Sequence, residues 1–289
     1  MIAAIVALSI SIVIIFLNGR FMPEERGAIS IHDRGFLYGD GLFEAVRIYQ
    51  GEPFLWNDHI ARFQSGCETL LLQSPFSGGE ILKLVREVIR RNQLTDAMVR
   101  FTLSRGPGPR GYSPRGADTP TFLLTVSPAQ PVPHPFRVII ASIRLPGQDP
   151  FSGFKHLNKL VQVLARAEAD SALAHEALLQ NERGFLVEGS SSNLFWIEKG
   201  VVCTPPVRGI LRGVTRAHVL RLCAELKIST REKQTRPEAL LEADGVFVTS
   251  CGLEIAEVSS IDGRRTRKSP LVQKLKRSYR HSKTAPILP

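Results

Sequence analysis

Residues 154–158 are Phe-Lys-His-Leu-Asn, and Lys155 lies where the sequence predicts a change from strand to helix. The preceding segment 136–143 predicts a strand, and the following segment 157–174 predicts a helix. Taken alone, a lysine at such a place indicates little, since lysine side chains are usually solvated. Whether Lys155 has a functional role therefore depends on the other motifs in the sequence.

Two further segments of the second half place polar residues beside predicted elements. Glu188 stands in Val187-Glu-Gly-Ser-Ser-Ser-Asn193, and Gly209-Ile-Leu-Arg-Gly-Val-Thr-Arg216 opens a predicted helix. A helix N-terminus offers free backbone N–H groups to an anion, although a glycine and a threonine before a helix are more often an ordinary cap. The order and spacing of the segments, rather than any one of them, carry the interpretation.

The alternation of predicted strands and helices favours two mixed α+β domains of similar size. Strands are predicted at 12–17, 42–49, 98–104, 121–126, 176–179, 193–197, 201–203 and 245–249, and further helices from Asn57-Asp58, at 79–91 and at 215–226. Residues 128–135 contain four prolines and form the best candidate linker. The predicted organisation is an apolar leader (1–12), a small N-terminal α/β domain (13–129), a linker (130–135), a larger α+β domain (136–272) and a basic tail (273–289).

Composition narrows the function classes. Much of the formal charge of +10 lies in the C-terminal stretch, where it predicts a solvated basic end rather than a nucleic-acid interface. The four cysteines are far apart and form no C-x-x-C pair, which argues against structural zinc or a disulfide framework and favours the cytoplasm. The seven histidines show no metal-ligand spacing, so no metal site is predicted.

The N-terminus is unusually apolar from Ile2 to Leu17, apart from Ser9 and Ser11. Sixteen residues are short for a membrane span, and no positively charged segment precedes them. The second half of the stretch, followed by Asn18-Gly19, predicts a buried strand that ends in a turn. We favour an enzyme with a leader of unassigned role, with a weak membrane anchor as the alternative.

Six ordered segments resemble the class IV (fold-type IV) pyridoxal-phosphate family, which includes branched-chain aminotransferases, D-amino-acid aminotransferases and aminodeoxychorismate lyases. Together they span nearly the whole chain, from about residue 15 to Gly263. The segments are Asp33-Arg-Gly-Phe-Leu-Tyr-Gly-Asp-Gly-Leu-Phe-Glu44, Asp58-His-Ile-Ala-Arg62, Phe154-Lys-His-Leu-Asn158, Glu188-Gly-Ser-Ser-Ser-Asn193, Gly213-Val-Thr-Arg216 and Val248-Thr-Ser250. The resemblance implies a two-domain fold-type IV enzyme that uses pyridoxal 5'-phosphate.

The resemblance also implies roles for particular residues. Lys155 would form the Schiff base with the cofactor, and Glu188 would face its pyridine nitrogen. The competing lysine is Lys159, which would share a helical face with Lys155 if the helix had already begun, but the family motif has its lysine three positions before the asparagine. The expected phosphate-binding residues are Arg62, Val214, Thr215, Thr249 and Ser250.

Five residues match substrate-binding positions of the family. Tyr38, Phe43 and Arg47 correspond to residues that line the pocket of branched-chain enzymes, whereas core packing is the simpler reading of the two aromatic residues. Arg110 and Tyr112 lie in a glycine- and proline-rich loop that resembles the carboxylate-binding loop. The D-amino-acid enzymes carry a histidine where Tyr112 stands. The family further implies a homodimer in which a loop of one subunit closes the pocket of the other.

Two reactions share this scaffold, and both begin with removal of a substrate α-proton by Lys155. Segments around Ser104–Ser113 and Lys155–Arg166 look most like the lyase, which releases pyruvate and p-aminobenzoate. Segments at Phe43–Arg47, Glu188–Asn193 and Gly213–Arg216 look more like transaminases acting on branched-chain or D-amino acids and a 2-oxo acid. The transaminase is placed slightly ahead, the lyase second, and a cofactor-less binding protein of the same fold well behind.

Overall fold

The computed structural model describes residues 12–147 and 149–283. In the first half of that range six strands form one antiparallel sheet, arranged β2-β1-β6-β5-β3-β4. The strands are β1 (Ile14–Leu17), β2 (Arg20–Pro23), β3 (Gly41–Tyr49), β4 (Glu52–Pro53), β5 (Ala97–Ser104) and β6 (Thr121–Pro128). The helices are α1 (Arg34–Tyr38), α2 (Trp56–Leu70) and α3 (Gly78–Arg91).

The first hairpin follows from its turn residues. Asn18 and Gly19 both have positive φ, 45° and 89°, and the two-residue turn between β1 and β2 therefore matches the twist of its strands. The strand predicted at 12–17 is confirmed from Ile14 onward. The helix predicted from Asn57-Asp58 begins one residue earlier, at Trp56, after Leu55 in the left-handed conformation.

The second sheet contains nine strands among the described residues, in the order β12-β11-β10-β13-β14-β7-β8-β9 with β15 paired to β14. Residues 129–135 connect the two sheets. The strands are β7 (Phe136–Leu145), β8 (Glu176–Asn181), β9 (Leu186–Gly189), β10 (Asn193–Glu198), β11 (Val201–Thr204), β12 (Thr230–Glu232), β13 (Gly245–Ser250), β14 (Glu254–Ile261) and β15 (Arg264–Arg265). The helices are α4 (Leu160–Ser171), α5 (Val214–Glu225), α6 (Pro237–Glu242) and α7 (Pro270–Ser282).

Two sequence-based expectations are corrected here. The helix predicted at 157–174 begins only at Leu160, so Lys155 and Lys159 both precede it and share no helical face. The basic tail, which was predicted to be a solvated end, is instead folded as far as Ser282. Its residues belong to α7, whose Val272, Leu275 and Tyr279 pack into a core with strands β10 and β13.

The apolar leader predicted at 1–12 lies outside the described residues except for Ile12, and so does the tail beyond Lys283. Within the described ranges, the longest and most apolar helices fall short of what is needed to cross a membrane.

Candidate functional site

A cavity of about 830 Å³ opens between the two sheets. Both halves of the chain contribute to its wall: strands β3 and β5 with α2 from the first half, and the Lys155 loop, β9, β13 and the start of α5 from the second. Of the predicted site residues, the cavity brings together Phe43, Arg62, Lys155, Glu188, Val214, Thr215, Thr249 and Ser250.

Lys155 is fixed by backbone hydrogen bonds between residues 155–157 and strand β3. Its carbonyl oxygen accepts a 2.8 Å hydrogen bond from the N–H of Phe43, and the N–H of Leu157 donates to the carbonyl of Gly41 at 3.0 Å. The Nζ atom lies 4.9 Å from the centre of the Phe43 ring. Burial, followed by the nearby charge of Arg62, lowers the pKa of Lys155. The side chain is therefore more easily neutral, which is the state of an amine nucleophile.

Lys159 lines the same cavity but sits differently. It is the residue before α4, and its Nζ lies 3.4 Å from Nε2 of His156. Burial lowers the pKa of Lys159 to about 8. Both lysines therefore face the cavity, and the Lys155 backbone is held against β3 by hydrogen bonds of its own carbonyl and of the Leu157 N–H.

Glu188 is a half-buried carboxylate on β9. Its Oε2 accepts a 3.0 Å hydrogen bond from the backbone N–H of Leu211, and burial raises its pKa to about 7. A carboxyl group at this pKa exchanges its proton near neutral pH and can share that proton with a basic ring nitrogen. The structure thus places a proton-sharing group in the same cavity as Lys155.

The serine loop after Glu188 is clamped by Glu176, a residue that we did not single out from the sequence. Glu176 is buried, and its two carboxylate oxygens accept hydrogen bonds from the hydroxyls of Ser190, Ser191 and Ser192. The backbone N–H groups of Ser190 and Ser191 also donate to it, at 3.0 and 3.2 Å. One carboxylate therefore fixes the wall that follows Glu188.

The cavity also has the features of an anion site at one end. Helix α5 begins there with Val214 and Thr215, and its N-cap is Gly213. A Cβ on Gly213 would lie 1.8 Å from Oδ1 of Asn193, so the close approach requires glycine. Thr249 is 1% exposed, and its hydroxyl has no hydrogen-bond partner among the described residues. Free helix N–H groups and an unpaired hydroxyl fit a phosphate group.

Arg62 adds a buried positive charge at this end. Its Nε and Nη2 donate to Glu44 at 2.7 Å each, and its Nη1 donates to the carbonyl of Arg212 at 3.0 Å. Burial alone would raise the pKa of Glu44, but Arg62 and His59 lower it to about 2. Nδ1 of His59 lies 2.8 Å from the same carboxylate. A paired, oriented guanidinium of this kind suits an oxyanion.

The side of the cavity away from α5 is mainly apolar, with one cation. Phe43, Ala45 and Met98 line it, and the guanidinium of Arg100 lies 3.9 Å from the centre of the Phe43 ring. Arg100 forms no ion pair with a carboxylate in the described part of the chain. Its signal in the sequence is the single charged residue of the strand Ala97–Ser104.

Four of the predicted substrate-binding residues do not line the cavity of their own chain as described. Arg47 pairs with Asp96 at 2.7 Å and lies four strand residues, roughly 13 Å, beyond Phe43, so its substrate-binding role stays a prediction. Tyr38, Arg110 and Tyr112 lie together at the surface instead. The ring centroids of Tyr38 and Tyr112 are 5.5 Å apart, and the Tyr38 hydroxyl accepts from the N–H of Gly111.

Comparison with known proteins agrees with this geometry. Residues 41–261 match the family described as Amino-transferase class IV, which is more than half of the chain. A Methanocaldococcus jannaschii protein provisionally named a branched-chain-amino-acid aminotransferase is 36% identical over 277 residues, covering 93% of this chain and 96% of that protein. The aminodeoxychorismate lyase of Bacillus subtilis is 32% identical over 253 residues, covering 86% of each.

A solved structure shows the same fold. The branched-chain aminotransferase of Thermoproteus uzoniensis, determined with norvaline, is 28% identical, has a TM-score of 0.87, and is matched over 93% of this chain and 94% of that one. The expected α+β fold-type IV architecture is confirmed. With a matching family over most of its length and a lysine, a carboxylate and an anion site around one cavity, the chain belongs to the class IV aminotransferases.

Proposed function

We propose that this enzyme is a pyridoxal-phosphate-dependent transaminase acting on an amino acid with an aliphatic side chain and on a 2-oxo acid. The observation that carries the proposal is one cavity that holds Lys155, Glu188 and the anion site at the start of α5. When bound, the cofactor supplies an electron sink for the carbanion formed on loss of the substrate α-proton.

Each of these groups has a separate task. Lys155 would bond the cofactor aldehyde and then carry the α-proton, and burial, which lowers its pKa, favours both tasks. Glu188 would hold a proton at the pyridine nitrogen. The N–H groups of Val214 and Thr215, with Arg62 and the hydroxyls of Thr249 and Ser250, would bind the phosphate.

The apolar wall favours transamination of an aliphatic donor. Phe43, Ala45 and Met98 offer hydrocarbon contact, and Leu157 and Val163 extend the same lining. Beside them, the guanidinium of Arg100 has no carboxylate partner within residues 12–147 and 149–283 and can bind a carboxylate of the substrate. The second candidate is aminodeoxychorismate lyase activity, favoured by the 32% identity to the Bacillus subtilis lyase. A comparison of L-branched-chain amino acids with D-alanine determines whether the enzyme uses L- or D-amino acids.

We further propose that the chain works as a homodimer. Large apolar side chains are exposed around the Tyr38 and Tyr112 pair, with Phe36 77% and Tyr112 86% exposed. Apolar surface of this kind marks protein contacts, and a second copy would bring Tyr38, Arg110 and Tyr112 to the cavity of its neighbour. Light scattering after Phe36→Asp tests this: a monomer is expected, and an unchanged dimer would contradict it. The cytoplasmic location stays a prediction.

The test of the function is a visible absorption spectrum recorded after addition of pyridoxal phosphate. The wild type should turn yellow and bleach with either an L-branched-chain amino acid or D-alanine, and the donor that acts gives the substrate class. Lys155→Ala should lose covalent attachment, measured by borohydride reduction and mass spectrometry, whereas Lys159→Ala should keep it. The reverse result would overturn the assignment of Lys155. A yellow enzyme that answers neither donor and releases pyruvate from aminodeoxychorismate would favour the lyase.

A further inference from the structure

Cys251 forms a buried chain of polar groups with His59 and Glu44. Its Sγ lies 3.5 Å from Nε2 of His59, and Nδ1 of the same ring lies 2.8 Å from Oε2 of Glu44. These distances place a thiol, an imidazole and a carboxylate in line, with one ring nitrogen for each neighbour. When Nδ1 carries a proton towards the carboxylate, Nε2 is free to accept the proton of the thiol.

This arrangement faces the cavity rather than the core. Cys251 is partly exposed and lines the cavity beside Thr249, whose hydroxyl lacks a partner among the described residues although the residue is 1% exposed. The hydroxyl of Thr215 lies 3.7 Å from Sγ of Cys251. A small molecule that enters the cavity at the anion site therefore meets the sulfur directly.

The charges around the sulfur favour its thiolate. Burial alone would raise the pKa of Cys251, but the charge and hydrogen bond of His59, followed by Arg62, lower it to about 7. The other cysteines differ: burial raises the pKa of Cys67 to about 12 and that of Cys223 to about 11. Cys203 is buried as well, and burial raises its pKa.

We propose that Cys251 is a modification site, a thiol activated by His59 and Glu44 that reacts with small soft carbon electrophiles entering the cavity. In the reaction with a haloacetamide, the sulfur forms a bond to the methylene carbon, and the halide leaves with the electron pair of the carbon–halogen bond. The sulfur reacts as its thiolate, with the thiol proton already held at Nε2 of His59. Burial alone would lower the pKa of His59, but Cys251 and Glu44 raise it to about 9, and the proton passes to solvent after alkylation. This reactivity stands without the cofactor; only protection by phosphate rests on the proposed function.

The experiment uses the full-length, cofactor-free protein in a phosphate-free buffer at pH 7.5 with limiting iodoacetamide. Labelling is followed by intact mass and by peptide mapping of all four cysteines. Cys251 should react at least roughly tenfold faster than Cys67, Cys203 and Cys223, which serve as internal controls. His59→Asn should slow labelling of Cys251 by a similar factor, with His32→Asn as the surface-histidine control. Cys251→Ser should remove the fast phase.

Equal labelling of the four cysteines, or fast labelling of another cysteine, would overturn the proposal. If His59→Asn fails to fold, the wild-type comparison among the four cysteines decides it. Inorganic phosphate is the added probe of the proposed function. Slower labelling of Cys251 with phosphate supports the anion site, whereas a fast Cys251 that phosphate leaves unprotected keeps the activated thiol and contradicts the phosphate placement.

Discussion

Arg62 is held by Glu44 through two hydrogen bonds of 2.7 Å, one from Nε to Oε1 and one from Nη2 to Oε2. The pair joins α2 to β3, and both side chains are almost fully buried. Because the carboxylate occupies two of the guanidinium nitrogens, Nη1 alone reaches across to the second half of the chain, where it meets the carbonyl of Arg212. Glu44 therefore fixes the orientation of the Arg62 guanidinium, which is the cation of the anion site.

Glu44→Gln should be strongly destabilising, because it leaves Arg62 and His59 without their buried counter-charge. We expect a loss of about 3–5 kcal/mol in the free energy of unfolding, measured by urea denaturation at pH 7. Glu52→Gln is the matched control, since its ion pair with Arg86 is about half exposed and should change stability by roughly 0–1 kcal/mol. Equal losses in the two variants would contradict the role of Glu44.

Glu188→Gln should change the pH dependence of stability of the cofactor-free protein. The folded-state pKa of Glu188 is about 7 and its ordinary value is 4.5, so only the unfolded state ionises freely between these values. In the wild type, ionising Glu188 in the folded state has a free-energy cost. This cost is absent below about pH 4.5, grows as pH rises, and is complete above pH 7. The variant should therefore gain about 3 kcal/mol over the wild type at pH 8.5 and much less at pH 5.

Urea denaturation at the two pH values measures this difference. Glu238→Gln, a substitution of an exposed carboxylate on α6, provides the control and should show no such trend. A Glu188→Gln gain that is the same at both pH values would contradict the buried-ionisation argument.

Arg100→Met should weaken binding of a substrate with a second carboxylate. The guanidinium has no carboxylate partner of its own among the described residues, so a charged hydrogen bond to substrate is available at little cost. Loss of about 1.5–3 kcal/mol corresponds to roughly a 10- to 150-fold rise in KM for 2-oxoglutarate, against a smaller change for 2-oxoisovalerate. Steady-state kinetics with both acceptors measures the ratio. Arg166→Met, which removes a cavity arginine already paired with Asp170, should leave the ratio near that of the wild type.

Local sequence was sufficient for most strands and for the groups that surround the cavity. Lys155 and the Gly213-Val-Thr segment precede predicted helices, and Glu188 stands in a short motif before a predicted strand, although its own strand β9 was not predicted. The motifs occur in the same order as in the family, which implied that they meet at one site. The structure brings them to one cavity, although their separate roles remain predictions.

The residues that escaped sequence reasoning act through long-range pairs. Glu44 contacts Arg62 at a separation of 18 residues, and Cys251 contacts His59 at a separation of 192. Periodicity cannot detect such partners, because it reports only which face of an element is buried. A lone acid in the apolar strand β3 was the available signal, since buried carboxylates are seldom left unpaired.

Helix α7 was not predicted from the sequence for a different reason. Its basic residues dominated the interpretation, while Val272, Leu275 and Tyr279 recur at spacings of three and four residues and indicate an amphipathic helix. Arg47 is a different case, because only its match to a family position implied a role in substrate binding. In the structure, distance along β3 separates it from Phe43 and brings it to Asp96.

The anion site is divided between the two halves of the chain, and under the proposed function this division links the stability of the protein to its cofactor. Arg62 comes from the first half, and the start of α5 comes from the second. A phosphate bound by both would hold the two halves together. The melting temperature of the protein would then rise with the concentration of free ligand. At one hundred times its Kd, such a ligand adds about 2.7 kcal/mol to the folded state. Under the proposed function, a fall in the supply of pyridoxal phosphate would therefore lower the thermal stability of the protein as well as its activity.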